Sequence, residues 1–121
     1  MILSRRIAVL AAALAATAAL PTASAFATEA WVYDKSRVLA HGWAPAGGSA
    51  GRAAVKDHWR YDKVKNEYNR VSNGSHKFTL WNKLGAGRTT YTKNGARVTK
   101  IHVCEEHNWA PDWCSKWVPV K

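Results

Sequence analysis

The stretch KNEYNRVSNGSHKFTLWNK, residues 65–83, decides the fold because it has the pattern of a β-hairpin. Polar residues alternate with apolar ones after Asn73-Gly74, over residues 77–80, and the residues before that pair form a second strand candidate. That pair supplies the positive φ angles that a tight hairpin turn needs. We therefore predict one strand over residues 65–72 and a second over residues 76–83.

The second strand of this hairpin has one apolar and one charged face, because successive side chains point to opposite sides of a sheet. Phe78 and Leu80 share the apolar face, and Lys77, Trp81 and Lys83 share the other. A ring between two cations can stack on a sugar or a base while the cations hold an anionic backbone. The alternative is that another strand or loop covers Trp81.

Short segments of alternating or β-branched residues occupy the rest of the chain, and none has a sustained helical period. Further strands are predicted at residues 31–39, 53–62, 88–93, 97–104 and 117–120, with a loop at 41–51, a turn at 85–87 and a second hairpin turn at Asn94-Gly95. Six or seven short strands separated by turn signals predict an all-β fold, a small antiparallel β-sandwich or barrel.

The predicted strand over residues 53–62 also has two distinct faces. One face carries Val55, Asp57, Trp59 and Tyr61, and the other carries Lys56, His58 and Arg60. We expect Trp59 to be buried in the core and Asp57 to be the one polar residue on the apolar side.

Residues 1–27 have the pattern of a secretory signal peptide. Arg5 and Arg6 precede an apolar run over residues 7–20, Pro21 ends the run, and small-x-small cleavage motifs follow up to Ala27. The run is shorter than the about 20 residues of a membrane-spanning helix. We therefore predict one secreted, extracellular β domain over residues 28–121.

Cys104 and Cys114 are the only two cysteines of the chain. Export makes a disulfide between them chemically available. Closing so short a loop contributes about 2.5–3 kcal/mol in the chain-entropy model. We expect this bridge to tie the last strands together in a domain small enough to be marginally stable.

The segment between the cysteines carries several groups that bind ligands in other proteins: Glu105, Glu106, His107 and Asp112. Their spacing matches neither a zinc motif nor a calcium loop, so they are interpreted as solvated loop carboxylates, and no metal or cofactor is predicted. Trp109 and Trp113 flank Pro111, which stiffens the loop. They either bind a ligand at little entropic cost or fold back to cap an edge of the sandwich.

The charge of the chain is strongly positive and uneven. Residues 28–121 hold sixteen Lys and Arg against eight Asp and Glu, and twelve of these cations, with three carboxylates, lie in residues 52–100. Such a field attracts anionic partners, which outside a cell include teichoic-type polymers, acidic polysaccharides, lipid headgroups and nucleic acid. The alternative is that the charge serves solubility alone. The predicted contacts are Lys56, His58, Arg60, Lys77, Lys83, Arg88 and Arg97, with Trp81 as an aromatic platform.

Two motifs resemble a known group of proteins. They are GRAAVKDHWRY over residues 51–61 and a closing pattern in which Val103-Cys104 precedes CSKWV over residues 114–118. With them the chain is similar to small secreted actinobacterial proteins of β-sandwich type, a loose group without an established activity. Size and strand pattern are also similar to lactococcin 972-type bacteriocins. Relatives often carry a further cysteine in an early strand, which residues 38–41 lack, and the resemblance supplies no catalytic residues.

Three functions follow as expectations. The first is a secreted, non-enzymatic protein that binds an anionic polymer of the cell envelope or a membrane surface. The second is a bacteriocin-like antimicrobial protein. The third is a small ribonuclease, for which the acid, base and phosphate-binding groups would come from Glu67, His58, His76, His102 and Arg60.

Overall fold

The computed structural model describes residues 27–59 and 61–121, and these residues form nine β-strands and no helix. The strands are β1 (Thr28–Asp34), β2 (Arg37–Ala44), β3 (Ala54–Asp57), β4 (Val64–Arg70), β5 (Asn73–Asn82), β6 (Thr89–Tyr91), β7 (Val98–Glu105), β8 (Trp113–Cys114) and β9 (Val118–Pro119). The predicted signal peptide, apart from Ala27, and Arg60 lie outside the described residues. Helices that could cross a membrane are absent from the described part of the chain.

The strands form two antiparallel sheets, which confirms the predicted all-β fold as a small sandwich. One sheet has the order β1-β2-β3-β6, and the other has the order β5-β4-β7-β8, with β9 also paired to β7. The core between the sheets is built mainly from alanine and branched aliphatic side chains, among them Ala30, Val32, Leu39, Ala40, Val55, Val64, Val98, Ile101 and Val103.

Two buried asparagines of the five-stranded sheet fix it against β3 of the other sheet. Asn66 donates its side-chain N–H to the Ala54 carbonyl at 3.0 Å, and Asn82 donates to the Val55 carbonyl at 3.0 Å. Each bond satisfies a polar group that would otherwise be costly in an apolar interior. The two strands that position the candidate site, β4 and β5, are therefore each hydrogen-bonded to β3 of the opposite sheet.

The predicted hairpin between β4 and β5 is confirmed, but its turn lies earlier than expected. Arg70 pairs with Asn73, so the turn consists of Val71 and Ser72, and Gly74 belongs to β5. The reason is an irregularity in β4 between Tyr68 and Arg70, where Asn69 donates its side-chain N–H to the Gly74 carbonyl at 2.6 Å. A bulge of this kind changes where a hairpin closes.

The predictions for residues 31–51 were wrong in two respects. The segment 31–39 is not one strand, because the chain turns at Lys35, whose φ is 56°, and joins β1 to β2. The predicted loop over 41–51 begins only at Pro45, because β2 continues to Ala44. Within this strand, position 42 requires glycine because a Cβ atom there would overlap Val103 of the opposite sheet.

The strand predicted over residues 53–62 is shorter and less buried than expected. It ends at Asp57, whose carboxylate accepts the Trp59 backbone N–H at 3.0 Å and so turns the chain. Asp57 is the predicted buried polar residue, with 2 % of its surface exposed. Trp59, expected in the core, is only half-buried and lies 3.9 Å under the Arg37 guanidinium, and Tyr61 is exposed.

Asn94-Gly95 does not form a hairpin turn. β6 pairs with β3, whereas β7 pairs with β4, so the chain crosses here from one sheet to the other. Arg70 holds the crossing by donating to the carbonyls of Gly51 at 2.7 Å and Ala96 at 2.6 Å. An Asn-Gly pair thus marked a change of direction without showing which strands it joins.

The end of the chain follows the prediction. Cys104 and Cys114 form a disulfide between the paired strands β7 and β8. β9 pairs with β7 through Val118 and Ile101, which confirms a terminal strand. The bridge therefore fixes β8 against β7 at the end of the sheet.

Candidate functional site

The outer face of the five-stranded sheet combines lysines with tryptophans. Residues that alternate outward on β4, β5 and β7 share it with side chains from the adjoining connections. We call this surface the lysine–tryptophan face and define it by Lys63, Lys65, Lys77, Lys83, Lys100, Trp81 and Trp117.

Trp81 lies among three lysine ammonium groups. Lys65 is its cross-strand partner, with Nζ at 5.1 Å from the ring centroid. Lys83 Nζ is at 5.5 Å and Lys63 Nζ at 5.6 Å. Each distance falls within the about 6 Å over which a cation is attracted to an aromatic ring. The half-buried ring is therefore rimmed by positive charge.

Lys77, predicted beside Trp81, instead forms an ion pair with Glu67 at 2.9 Å. Glu67 also contacts His102 Nδ1 at 2.9 Å and Lys65 at 3.6 Å. Burial by itself raises the pKa of Glu67, but the hydrogen bonds from Lys77 and His102 outweigh it and hold the pKa below its ordinary value. Glu67 is thus a fixed anion at the centre of a cationic surface.

Lys65 has the least exposed side chain of the three lysines that form ion pairs among the described residues, Lys63, Lys65 and Lys77. Burial lowers the pKa of Lys65. The hydrogen bond to Asp112 and the Glu67 charge together raise it by more, so that the net shift is upward. Its ammonium lies 3.1 Å from Asp112. In contrast, among the described residues neither Lys83 nor Lys100 has a carboxylate within ion-pair distance.

A second tryptophan–lysine contact lies on the same face. The Trp117 ring stacks on His102 with a centroid distance of 4.6 Å and an angle of 7°. Lys100 Nζ lies 5.1 Å from the Trp117 centroid. The stack leaves Trp117 38 % exposed. Because His102 neighbours Cys104 on β7, the disulfide lies beside this contact.

Sequence reasoning missed four members of the face: Lys63, Lys65, Lys100 and Trp117. The cross-strand pairing of Lys65 with Trp81 was accessible from the hairpin, since the register places them opposite each other. The place of Trp117 on this face depends on the pairing of β9 with β7, and no local sequence pattern predicts such a long-range pairing.

The other predicted contacts are distributed over separate surfaces. Lys56 pairs with His41 on the outer face of the four-stranded sheet, and His58 follows at the end of the same strand. Burial lowers the pKa of His58, and the nearby Lys56 charge lowers it further. Arg88 and Arg97 are exposed in connections, before β6 and β7 respectively.

The outer face of the four-stranded sheet carries an aromatic stack. The Trp31 ring lies 3.5 Å from His41 at an angle of 8°. His41 contacts Glu29 at 2.9 Å. Burial lowers the pKa of His41 despite the opposing effect of Glu29. Because both imidazoles on this sheet are held toward their neutral forms, its outer face contributes less positive charge than Lys56 and His58 suggested.

The two tryptophans of the disulfide loop differ in their surroundings. Trp109 is 99 % exposed and does not cap the sandwich. Trp113 is 44 % exposed and meets the His107 ring edge-on at 4.6 Å.

The interpretation of the loop carboxylates was wrong for Glu105. It is the last residue of β7, and only 2 % of its surface is exposed. Its Oε1 contacts His107 Nε2 at 2.7 Å. Burial raises the pKa of Glu105. The hydrogen bond to His107 opposes this rise, whereas the charges of Asp62 and Asp34 add to it.

Asp57 lies close enough to this group to respond to it. Burial raises its pKa to about 6, the Trp59 backbone hydrogen bond opposes the shift, and the Glu105 and Asp62 charges increase it. Carboxylates therefore converge at one end of the sandwich, with little compensating charge around Glu105.

Comparisons with known proteins identify no relative: no family model, no curated protein and no solved structure matches the chain.

Proposed function

We propose that the protein is a secreted, basic, non-enzymatic binding protein that holds an anionic polymer of the cell envelope on its lysine–tryptophan face. The observation that carries the proposal is the position of Trp81 beside three lysines at 5.1–5.6 Å. The ring can stack on a sugar while the ammonium groups pair with the phosphates or carboxylates that link or decorate such units.

The arrangement favours an extended ligand over a small anion. Trp81 belongs to β5, and Trp117 stacks on β7, two strands away. Strands lie about 4.8 Å apart, so the two aromatic contacts are about 10 Å apart across the sheet. That span is suited to successive units of one polymer.

Lys83 and Lys100 are the lysines most available to such a ligand. Each lies next to one of the two tryptophans, and within the described residues neither has a carboxylate partner at ion-pair distance. Binding therefore need not break an existing ion pair. The disulfide is consistent with an oxidising extracellular compartment, where such polymers occur.

The test is a salt series with purified lipoteichoic acid, heparin and vesicles of anionic lipid as separate probes. Affinity for the preferred probe should fall steeply as salt rises, since the attraction is screened. A Lys83→Gln/Lys100→Gln variant should bind more weakly, whereas Lys56→Gln/Lys93→Gln, with the same charge change away from the face, should bind normally. No retention of the unaltered protein on any probe at low salt would end the proposal.

The ribonuclease alternative has one specific observation in its favour, the 2.9 Å contact between Glu67 and His102. Both groups are, however, engaged: two lysines pair with the carboxylate, and Trp117 covers the imidazole. A lowered pKa makes Glu67 a weak base, which favours the binding function. Incubation with RNA, alongside His102→Gln, tests the alternative, and cleavage that the substitution abolishes would support it.

The bacteriocin-like alternative would use the same cationic surface on a living target. It predicts growth inhibition of related bacteria by micromolar protein. Inhibition that is lost in the Lys83→Gln/Lys100→Gln variant would favour this function over binding alone.

A further inference from the structure

The end of the sandwich where β7 finishes brings three metal-ligating side chains together. Asp62, Glu105 and His107 each offer one ligand atom, and all three atoms lie within 4.8 Å of one another. Asp62 precedes β4, whereas Glu105 and His107 come from the end of β7 and the connection after it, so chain segments distant in sequence supply the group. The three residues line a cleft of about 230 Å³.

One oxygen in this cluster has no partner. Glu105 Oε1 contacts His107, but Glu105 Oε2 is buried without a hydrogen bond from any described residue. A buried carboxylate oxygen in that condition costs about 1–3 kcal/mol, and more when it is charged. Glu105, which lines the cleft, therefore carries an unused acceptor, which is a reason to expect a cation beside it.

The surrounding charges also favour a cation. Asp34 lines the same cleft, and the Arg37 guanidinium, which also lines it, is held 2.9 Å from the Asp34 carboxylate. That guanidinium also lies over the Trp59 ring. It is therefore directed to Asp34 and Trp59, and leaves the charge of Glu105 uncompensated by any described lysine or arginine at ion-pair distance.

We propose that Asp62, Glu105 and His107 bind one divalent transition-metal cation, with Zn²⁺ the expected ion. Carboxylate and imidazole ligands are typical of zinc, and three protein ligands leave a fourth position for water. Calcium prefers six to eight oxygen ligands, so the imidazole argues against it.

The site is separate from the lysine–tryptophan face and goes beyond the proposed function. Its ligands join the connection that precedes β4 to the beginning of the disulfide loop. A bound ion cross-links these segments and should stabilise the folded protein in proportion to its occupancy.

The test is calorimetric titration of the purified, EDTA-treated protein with ZnCl₂, and separately with CaCl₂, together with thermal unfolding in both. We expect one zinc per chain, a higher unfolding temperature with zinc, and neither effect with calcium. His107→Gln and Asp62→Asn should each weaken zinc binding by about tenfold or more. Asp62 is exposed, so its variant should fold even if changes at the buried Glu105 do not.

Two matched controls separate this site from surface binding. Glu106→Gln removes a carboxylate paired with Lys63, and His76→Gln removes an exposed imidazole, so both should leave zinc affinity unchanged. CoCl₂ supplies a spectroscopic readout, because Trp113 lies 4.6 Å from His107 and its fluorescence should be quenched. The absence of stoichiometric zinc binding, or unchanged affinity in both ligand variants, would overturn the proposal.

Discussion

Replacing Glu67 by Gln should strengthen the binding of an anionic polymer. The substitution removes the negative charge that pairs with Lys77 at 2.9 Å and Lys65 at 3.6 Å, and keeps nearly the same side-chain shape. A freed lysine near the surface contributes about 1 kcal/mol toward an anionic partner, or about a fivefold gain in affinity at low salt. The plot of log affinity against log salt should steepen by about 0.7–0.9, as one more contact releases its counterion.

The same change should destabilise the fold only moderately. Gln retains an oxygen that can accept from Lys77 or His102, and Lys65 keeps Asp112 at 3.1 Å. Loss of charge-assisted hydrogen bonds should lower the free energy of unfolding by about 1–2 kcal/mol. Urea denaturation measures this loss and shows whether the variant is folded under the conditions of the binding assay.

The control for this prediction is Glu29→Gln on the opposite sheet. Glu29 contacts His41 at 2.9 Å, so the substitution makes the same change of net charge beside a histidine but away from the lysine–tryptophan face. Calorimetry with lipoteichoic acid across a salt series should show tighter binding for Glu67→Gln alone. Equal gains in both variants would mean that net charge governs binding, and weaker binding of Glu67→Gln would refute the reasoning.

Three further predictions concern stability. Burial raises the pKa of Asp57 to about 6 in the fold, above its ordinary value of 3.8. Because the folded protein disfavours the ionised carboxylate, its free energy of unfolding in EDTA should fall by up to about 3 kcal/mol as pH rises from 4 to 7. Asp57→Asn should remove this part of the pH dependence in urea denaturation, and an unchanged profile would contradict it. Gly42→Ala should lower the free energy of unfolding by about 1–3 kcal/mol because the added methyl group overlaps the opposite sheet. Gly74→Ala should lower it much less, because its methyl group meets no atom within 4 Å. Equal losses in the two variants would show that the close approach at Gly42 is unimportant. Reducing the Cys104–Cys114 bridge should lower the free energy of unfolding by about 2–3 kcal/mol, and a midpoint unaffected by reductant would contradict a stabilising role.

The sequence predicted the fold class well because the alternation in β5 and in residues 53–57 and the frequent turn signals are local features. It failed for β2, where Gly42 and small alanines resembled a loop. Small residues occur there because Val103 of the other sheet approaches closely, and that contact joins residues far apart in the chain. Local composition cannot distinguish a flexible glycine from one required by packing.

The candidate sites differ in the same way. Trp81 lies near the end of β5 and Lys83 directly follows that strand, so the two were found together, and Lys65 follows from the hairpin register. The chain between Asp62 and Glu105 passes through β4, β5, β6 and β7, so the proximity of the two residues depends on the pairing of β4 with β7. Charge on a strand face is therefore predictable from sequence, whereas a cluster made by sheet order is not.

The lysine–tryptophan face can be tested most directly by nuclear magnetic resonance, following the tryptophan indole N–H signals as lipoteichoic acid is added at low salt. The proposed function predicts that the signals of Trp81 and Trp117 shift together in a saturable way, while that of Trp31 on the opposite sheet stays in place. A saturable shift of Trp31 with Trp81 and Trp117 unaffected, or no shift of any indole signal, would contradict it.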